Sequence, residues 1–329
     1  MTAAAVLSPG FARARGGVTD HTRRLLVHWQ ARGVLARVIE TPAELAGARE
    51  PVLVQYVPFL YGRRGLAPGL ERAVSAARAA GVRVTLFVHE AWVPPTRLPW
   101  LVLSPLQRRQ LRRLARVADA VVTPVPAWRA LLPAASELLY VGSTLGPAPA
   151  ATGGPQFEAP LVFSPFASGL SWPWILAAEA AVGSTGLVIV GATWADARAR
   201  GLALPERARS WQWLGRLPSA GALAALARAR LVLAPYADGL TGRRTAALAA
   251  LSTGARLVSS TGPLSDPVFA GGPVELAGNA AAFSRLAAER WAAPDDTRAR
   301  AERRAWFDRE FDPNRLDGRL LAIVQGTAA

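Results

Sequence analysis

Residues 231–260, LVLAPYADGLTGRRTAALAALSTGARLVSS, leave the chain few folds to choose from. An apolar run at 231–234 stops at Pro235, and a loop carrying Asp238, Gly239, Gly242, Arg243 and Arg244 follows. An Ala/Leu-rich helix is predicted from Thr245 to the break at Gly254, and a second apolar run occupies 256–259. Strand, glycine-bearing loop, helix and strand in this order make one parallel βαβ unit, with its loop at the carboxyl end of the first strand. Open α/β sheets bind ligands at that edge. A helix amino terminus offers unpaired N–H groups and a partial positive charge, and two arginines beside it add bidentate donors for phosphate. The unit is built to take a phosphorylated ligand.

The same grammar runs through both halves of the chain. Apolar runs fall at 3–7, 36–39, 52–56, 82–89, 120–123 and 138–141, with helical patterns at 19–32, 69–80 and 105–115. In the second half, runs at 161–163, 187–191, 211–214, 231–234, 256–259 and 274–276 alternate with helices in the same way. Alternation at this spacing predicts an α/β protein with doubly wound parallel sheets. The stretch GPAPAATGGP at 146–155 reads as a linker, so the expected plan is two Rossmann-like domains, 1–148 and 156–310, joined across 149–155. With 329 residues, half of them hydrophobic, two cores are within reach.

Composition narrows the chemistry. Cysteine is absent, which removes disulfides, thiol nucleophiles and thiolate-bound metals together. His21, His28 and His89 are the three imidazoles, and they show no close ligand spacing, so no metal site is expected. Every basic side chain other than these is arginine, and the formal net charge is +15. That excess draws polyanions, whether nucleic acid, anionic lipid or a sugar nucleotide. Nothing in the sequence matches a nucleic-acid motif, so no specific nucleic acid is expected. The residues at 3–7 are too few for the apolar core of a signal peptide. The longest uncharged stretch, 159–178, is broken by Pro160, Pro165, Gly169 and Pro173, so it is expected to make strand, loop and helix rather than a span. A cytoplasmic protein is expected.

Three further segments carry polar groups to the same kind of edge. Gly16 and Gly17, followed by Val18, Thr19, Asp20 and His21, lie between the first strand and the first helix. Paired glycines allow a ligand close to the main chain; the same residues also suit a tight turn, with Thr19 as helix cap and Asp20 favoured by the dipole. His89 and Glu90 end the run VTLFVHE, where polar groups stop a buried strand at the ligand edge. The segment WQWLGRLP places Arg216 and Leu217 just beyond a strand and a glycine. On a helical wheel, Leu106, Leu111, Leu114 and Val117 share one arc, while Arg108, Arg109, Arg112, Arg113 and Arg116 share the opposite one. That basic face is either simply solvated or docks on anionic lipid or a polyanionic acceptor.

The order PYADGLTGRRTAALAALSTGARLVSS, with GGVTDH and His89 in the first half, resembles the GT-B glycosyltransferases related to family 4. The resemblance implies two Rossmann-like domains facing across a cleft, with terminal helices at 294–311 and 313–324 and the segment 311–329 crossing back to the first domain. It implies that Gly16, Gly17 and Val18 face the donor diphosphate and the reacting sugar. Asp238, Gly239, Leu240, Thr241, Arg243, Arg244 and Thr245 would form the donor loop, with Arg216 and Leu217 near the base. His89 and Asp20 become the candidate catalytic contacts to the reacting sugar or acceptor. Tyr56, Tyr61, Arg63, Arg64 and Trp92, with Glu90, would line the acceptor side.

The match to that pattern is incomplete. Members commonly carry two glutamates eight positions apart around this loop, and alignment on Gly254 puts Thr241 and Ala249 there. They also carry an Arg and a Lys in the loop after the first strand of the second domain, where this chain has Pro165 and Leu170 in FSPFASGLSW. Arg243 and Arg244 would replace those cations, since guanidinium binds diphosphate well. Two functions follow. The first is sugar transfer from a nucleotide-diphosphate sugar to an unknown glycan, lipid or small-molecule acceptor, retaining, with no metal and no cofactor. The second is a catalytically silent binding subunit that has lost the donor-site carboxylates.

Overall fold

The computed structural model describes residues 2–13, 16–95, 98–133, 135–148, 157–184 and 186–327. The expected linker, 149–155, lies outside the described residues. Two units partition the chain: one runs to Thr144 and resumes at Pro313, the other spans Leu145–Asp312.

The first unit is built on strands β1 (Ala3–Leu7), β2 (Leu35–Ile39), β3 (Val52–Tyr56), β4 (Val84–Val88), β5 (Ala120–Thr123) and β6 (Glu137–Leu138). They pair in the order β2-β1-β3-β4-β5-β6, every pair parallel. Central strands β3 and β4 are buried at every residue, because helices cover both faces of a parallel sheet. That is why their sequences are unbroken apolar runs rather than alternating ones. Helices α1 (Gly17–Ala31), α2 (Pro68–Ala79), α3 (Trp100–Val117) and the short α4 (Pro126–Arg129) fill the connections. The strand order reverses between β1 and β3, which opens a ligand crevice at their carboxyl ends.

Thr19 does not cap α1; the cap position is Gly16, with no side-chain bond, and Thr19 is buried in the first turn. The paired glycines let the chain enter the helix earlier than a threonine cap would. Helix α3 starts at Trp100, not Pro105, which sits inside it. A proline there forfeits one N–H bond, and the following two turns of leucine and glutamine packing outweigh the loss.

The second unit contains β7 (Leu161–Phe163), β8 (Val188–Val190), β9 (Gln212–Trp213), β10 (Val232–Ala234), β11 (Leu257–Ser260) and β12 (Glu275–Ala277). Their order is β12-β11-β10-β7-β8-β9, again all parallel, with the reversal between β7 and β10. Helices α5 (Trp172–Val182), α6 (Trp194–Ala199), α7 (Ser219–Ala227), α8 (Thr245–Ser252), α9 (Pro267–Ala270), α10 (Ala280–Ala292) and α11 (Thr297–Phe311) complete it. The helix expected from 294 begins at Thr297, because Asp296 caps it by accepting from the Ala299 N–H at 2.8 Å. The core gathers Val162, Ile175, Ile189, Leu231, Leu233, Val258 and Phe283 between sheet and helices.

Helix α12 (Pro313–Gln325) returns the chain to the first unit. Its Leu316, Leu320, Ile323 and Val324 join Leu25, Trp29, Leu53 and Phe87 in one core. Asp317, buried, accepts from Arg24 Nε at 3.0 Å and Nη2 at 2.7 Å, and Trp29 Nε1 donates to the Asp317 carbonyl at 3.1 Å.

Candidate functional site

In the second unit, the reversal between β7 and β10 brings two loops together. The β10 loop folds against the β7 loop through main-chain bonds. The Ala237 N–H donates to the Gly169 carbonyl at 2.8 Å, and the Ser171 N–H donates to the Pro235 carbonyl at 2.8 Å. Leu170, at a place where the resemblance expects a cation, is bridged to Tyr236 instead. On its other side the β10 loop is tied to the segment after β11. The Leu240 N–H donates to the Ser260 carbonyl at 3.0 Å, and the Leu264 N–H to the Asp238 carbonyl at 2.9 Å. Ser260 Oγ accepts from the Tyr236 N–H at 2.7 Å and donates to the Tyr236 carbonyl at 2.6 Å.

This packing needs two glycines. Gly239 has φ +89, and a Cβ on it would stand 2.2 Å from Ser265 Oγ and 2.7 Å from the Gly262 nitrogen. A Cβ on Gly262 would stand 2.5 Å from the Asp238 carbonyl carbon. The two backbones touch because neither residue has a side chain.

Both arginines of the loop are gathered by Asp238. Arg243 Nη2 donates to Asp238 Oδ2 at 2.6 Å, and Arg244 Nη2 donates to Oδ1. Arg244 also gives Nη1 to the Ser168 carbonyl at 2.6 Å and lies over the Tyr236 ring, 4.3 Å from its centroid. Burial pushes the Tyr236 phenol up to about 12, so the ring under the guanidinium stays neutral. Arg244 is 7 % exposed, whereas Arg243 and Thr245 are half-buried at the start of α8. Two guanidinium charges less one carboxylate leave a net charge of about +1 at a helix amino terminus.

Among the other donor-loop residues, Leu240 is buried and Thr241 is fully buried, its Oγ1 without a hydrogen-bond partner among the described residues. Thr241 stands where the resemblance expects a carboxylate. Arg216 is exposed and Leu217 half-buried beyond β9, with β7 and β8 lying between that strand and β10.

In the first unit, Gly16 and Gly17 are exposed and Val18 is half-buried at the entry of α1. The Asp20 carboxylate pairs with Arg23 Nη1 at 3.0 Å on the same helix. His89 follows β4 and is buried, with its N–H on the Tyr56 carbonyl at 3.0 Å. Its Nε2 lies 2.5 Å from the Gln55 side-chain oxygen, which fixes that nitrogen as the donor. His21 stands edge-on to His89, their ring centroids 5.1 Å apart, and Phe87 packs against both. Burial above all, then Arg24 and His89, holds the His21 pKa well below its ordinary range, against a hydrogen bond to Gln55 that favours the protonated ring.

The sequence reading missed Gln55 and His21 as partners of His89. Their one signal is a lone polar residue near the carboxyl end of an apolar strand, VLVQY, beside a strand that ends in His. On the expected acceptor side, Tyr61 donates its hydroxyl to the Gln55 carbonyl at 2.8 Å, and burial raises its phenol well above the ordinary value. Tyr61 also stacks on Tyr56 at 6.4 Å between centroids. Arg63 is exposed, Glu90 half-buried, and Trp92 half-buried beneath the Arg108 guanidinium, 4.6 Å from its centroid. Gln110 accepts from the Ala67 N–H at 2.5 Å, and Gln107 accepts from the Val93 N–H at 2.8 Å; together they hold these loops to α3. Among the described residues no three His, Asp or Glu side chains converge as ligands for a metal. Among the same residues no helix is long and apolar enough to cross a membrane.

No protein-family model and no curated protein sequence matches the chain. Solved structures do. Sucrose-phosphate synthase from Thermosynechococcus elongatus is 13 % identical, with all of both chains covered and a TM-score of 0.71. HepE from Anabaena, solved with UDP-glucose, is 14 % identical over 99 % of this chain and 100 % of that one, with a TM-score of 0.69. The trehalose-6-phosphate synthase OtsA is 10 % identical over 99 % of each chain, with a TM-score of 0.62. At these identities the likeness is one of fold. The chain has the GT-B fold of two parallel α/β units.

Proposed function

We propose that the chain transfers a glycosyl group from a nucleoside-diphosphate sugar to an acceptor hydroxyl. The observation that carries this reading is the gathering of Arg243 and Arg244 by Asp238 at the start of α8, on the carboxyl edge where β7 and β10 part. HepE, of the same fold, was solved with UDP-glucose, which supports a sugar nucleotide as the donor class. In the transfer, the acceptor hydroxyl oxygen bonds to the anomeric carbon as the bond from that carbon to the diphosphate breaks; the electron pair leaves on the phosphate oxygen, and the hydroxyl proton passes to the departing diphosphate. The arginines and the α8 terminus neutralise that charge, so the reading needs no metal and no cofactor beyond the donor. Gly16, Gly17 and Val18 approach the diphosphate and sugar; His89 and Asp20 contact the reacting sugar or the acceptor. The outcome is proposed as retaining. The acceptor is taken beside Tyr61, Arg63, Glu90 and Trp92, and the arginine face of α3 brings the enzyme to the inner face of an anionic membrane.

The second reading, a silent subunit of the same fold, is favoured by one pair of observations. Asp238 already occupies both arginines, and buried Thr241 replaces the expected carboxylate. Titration calorimetry with UDP, GDP, ADP and dTDP separates the two. Micromolar binding of one diphosphate, lost in Arg243→Ala/Arg244→Ala with the circular-dichroism spectrum intact, supports transfer. Absence of binding by all four favours the silent subunit.

A further inference from the structure

Helix α3 presents two chemistries on one outward face. Its inward residues, Leu103, Gln107, Gln110, Leu111 and Leu114, are buried against the first unit. Leu106, expected with the buried leucines, faces outward instead and is 44 % exposed. It joins Leu101, Val102 and Pro105, all exposed, on the first two turns. The same face continues over the last two turns as Arg109, Arg112, Arg113 and Arg116, all exposed. These positions recur at helical spacing, so they form one stripe along the helix. No Asp or Glu interrupts the 18 residues. Leu98, 75 % exposed, extends the apolar end by one further residue.

We infer that this stripe is a docking surface for an anionic phospholipid bilayer, entered at its apolar end. Each half excludes a simpler occupant. A soluble polyanion would use the arginines and leave Leu101, Val102 and Leu106 in water at a cost. An apolar patch made for a second copy would meet four like charges on its own continuation, with no carboxylate in the helix to pair them. A bilayer surface offers both partners a few ångströms apart: phosphates at the headgroup plane and acyl chains just below it. At 1.5 Å per residue the stripe from Leu101 to Arg116 runs about 22 Å, so it lies along the surface, too short to cross it. The inference deepens the membrane contact proposed above but does not need the donor reading, because lipid and nucleotide binding are measured separately.

The test is flotation of the full chain with vesicles of phosphatidylglycerol and phosphatidylcholine, against phosphatidylcholine alone, at low and high salt. Two variants change exposed side chains only: Arg109→Ser/Arg112→Ser/Arg113→Ser and Leu101→Ser/Val102→Ser/Leu106→Ser. Binding to the anionic vesicles is expected, reduced roughly 100-fold in the arginine variant, about fivefold per arginine at about 1 kcal/mol each. In the serine-for-leucine variant the binding that remains is expected to vanish at high salt, while the unaltered chain keeps part of its own. UDP binding by calorimetry should be the same in all three proteins. The inference is overturned if anionic vesicles do not bind. It is also overturned if the apolar variant binds them as well as the unaltered chain, which marks a polyanion surface. A dimer seen by light scattering and abolished by the apolar variant would assign the face to a second copy.

Discussion

Asp238 Oδ2 and Arg243 Nη2 stand 2.6 Å apart, and the other oxygen of that carboxylate holds Arg244. One acid thus sets the position of both cations and cancels half of their charge. A diphosphate arriving at this loop competes with Asp238 for the same guanidinium edges.

The competition has a sign that can be read. Asp238→Asn keeps the shape and an acceptor oxygen but raises the local charge from about +1 to +2. Diphosphate affinity is expected to rise roughly fivefold, the effect of about 1 kcal/mol of added attraction near the surface. Arg243→Ala should lower it about tenfold or more and leave the melting temperature nearly unchanged. Arg244→Ala removes the bond to Ser168 and the cover of Tyr236, so it should cost on the order of 2 kcal/mol of stability as well. Calorimetry and thermal melts of the three variants check this; unaltered affinity in Asp238→Asn would show that the arginines are not phosphate ligands.

The glycine contact gives a second expectation. Gly239→Ala puts a side chain at φ +89 and drives it into Ser265 Oγ and the Gly262 nitrogen. Gly262→Ala meets the backbone of Asp238 from the other side, without an unfavourable φ of its own. Each is expected to destabilise the second unit by roughly 1–3 kcal/mol. The double variant should cost less than the sum, because both displace the same contact. Urea melts of the three proteins test the coupling; additive losses would place the two glycines in separate strains.

The two parallel sheets are legible in the sequence because strands buried on both faces must be unbroken apolar runs, as VTLFV in β4 is. The β10 loop is legible because Pro235, Gly239 and the arginine pair act locally, within one stretch of chain. What Asp238 does was not legible: a turn aspartate and a clamp for two arginines have the same spelling. Gln55, His21 and His89 come from a strand, a helix and a strand end, and only strand order makes them neighbours. A wheel of α3 that weighs only its apolar residues places Leu106 inward. The buried face is shared with Gln107 and Gln110, whose amides serve the loops at Ala67 and Val93.

His21 makes stability depend on pH. Its folded-state pKa lies well below the ordinary value because burial disfavours the imidazolium. The unfolded chain takes up a proton near pH 6.5 while the folded chain does not. The stabilisation is therefore complete above about pH 6.5 and is lost as pH falls toward the folded value, by up to about 1.4 kcal/mol per pH unit. His21→Gln should remove that slope between about pH 6.5 and 5 while leaving the carboxylate-driven loss at lower pH. Urea melts at half-unit steps compare the two proteins; parallel curves through this window would contradict the neutral, buried His21.

One buried acid pins α12 beside its apolar side chains. Asp317 is 2 % exposed in its side chain and takes Arg24 through two bonds, with His28 Nδ1 at 2.5 Å. Arg24 in turn gives Nη1 to the Ser143 carbonyl and Nη2 to the Val141 carbonyl, both at 2.6 Å, so one guanidinium joins α1, α12 and the segment after β6. Asp317→Ala leaves that buried charge without its counterion, and a loss of about 3–5 kcal/mol is expected. Arg24→Ala removes the charge, leaves the two carbonyls unpaired and leaves Asp317 with His28 as its remaining side-chain partner, at a similar cost. Arg24→Met/Asp317→Leu removes both charges and refills the space, so it should be more stable than either single variant. Equilibrium urea unfolding of the four proteins decides it; a double variant at the sum of the single losses would show that the pair is not coupled.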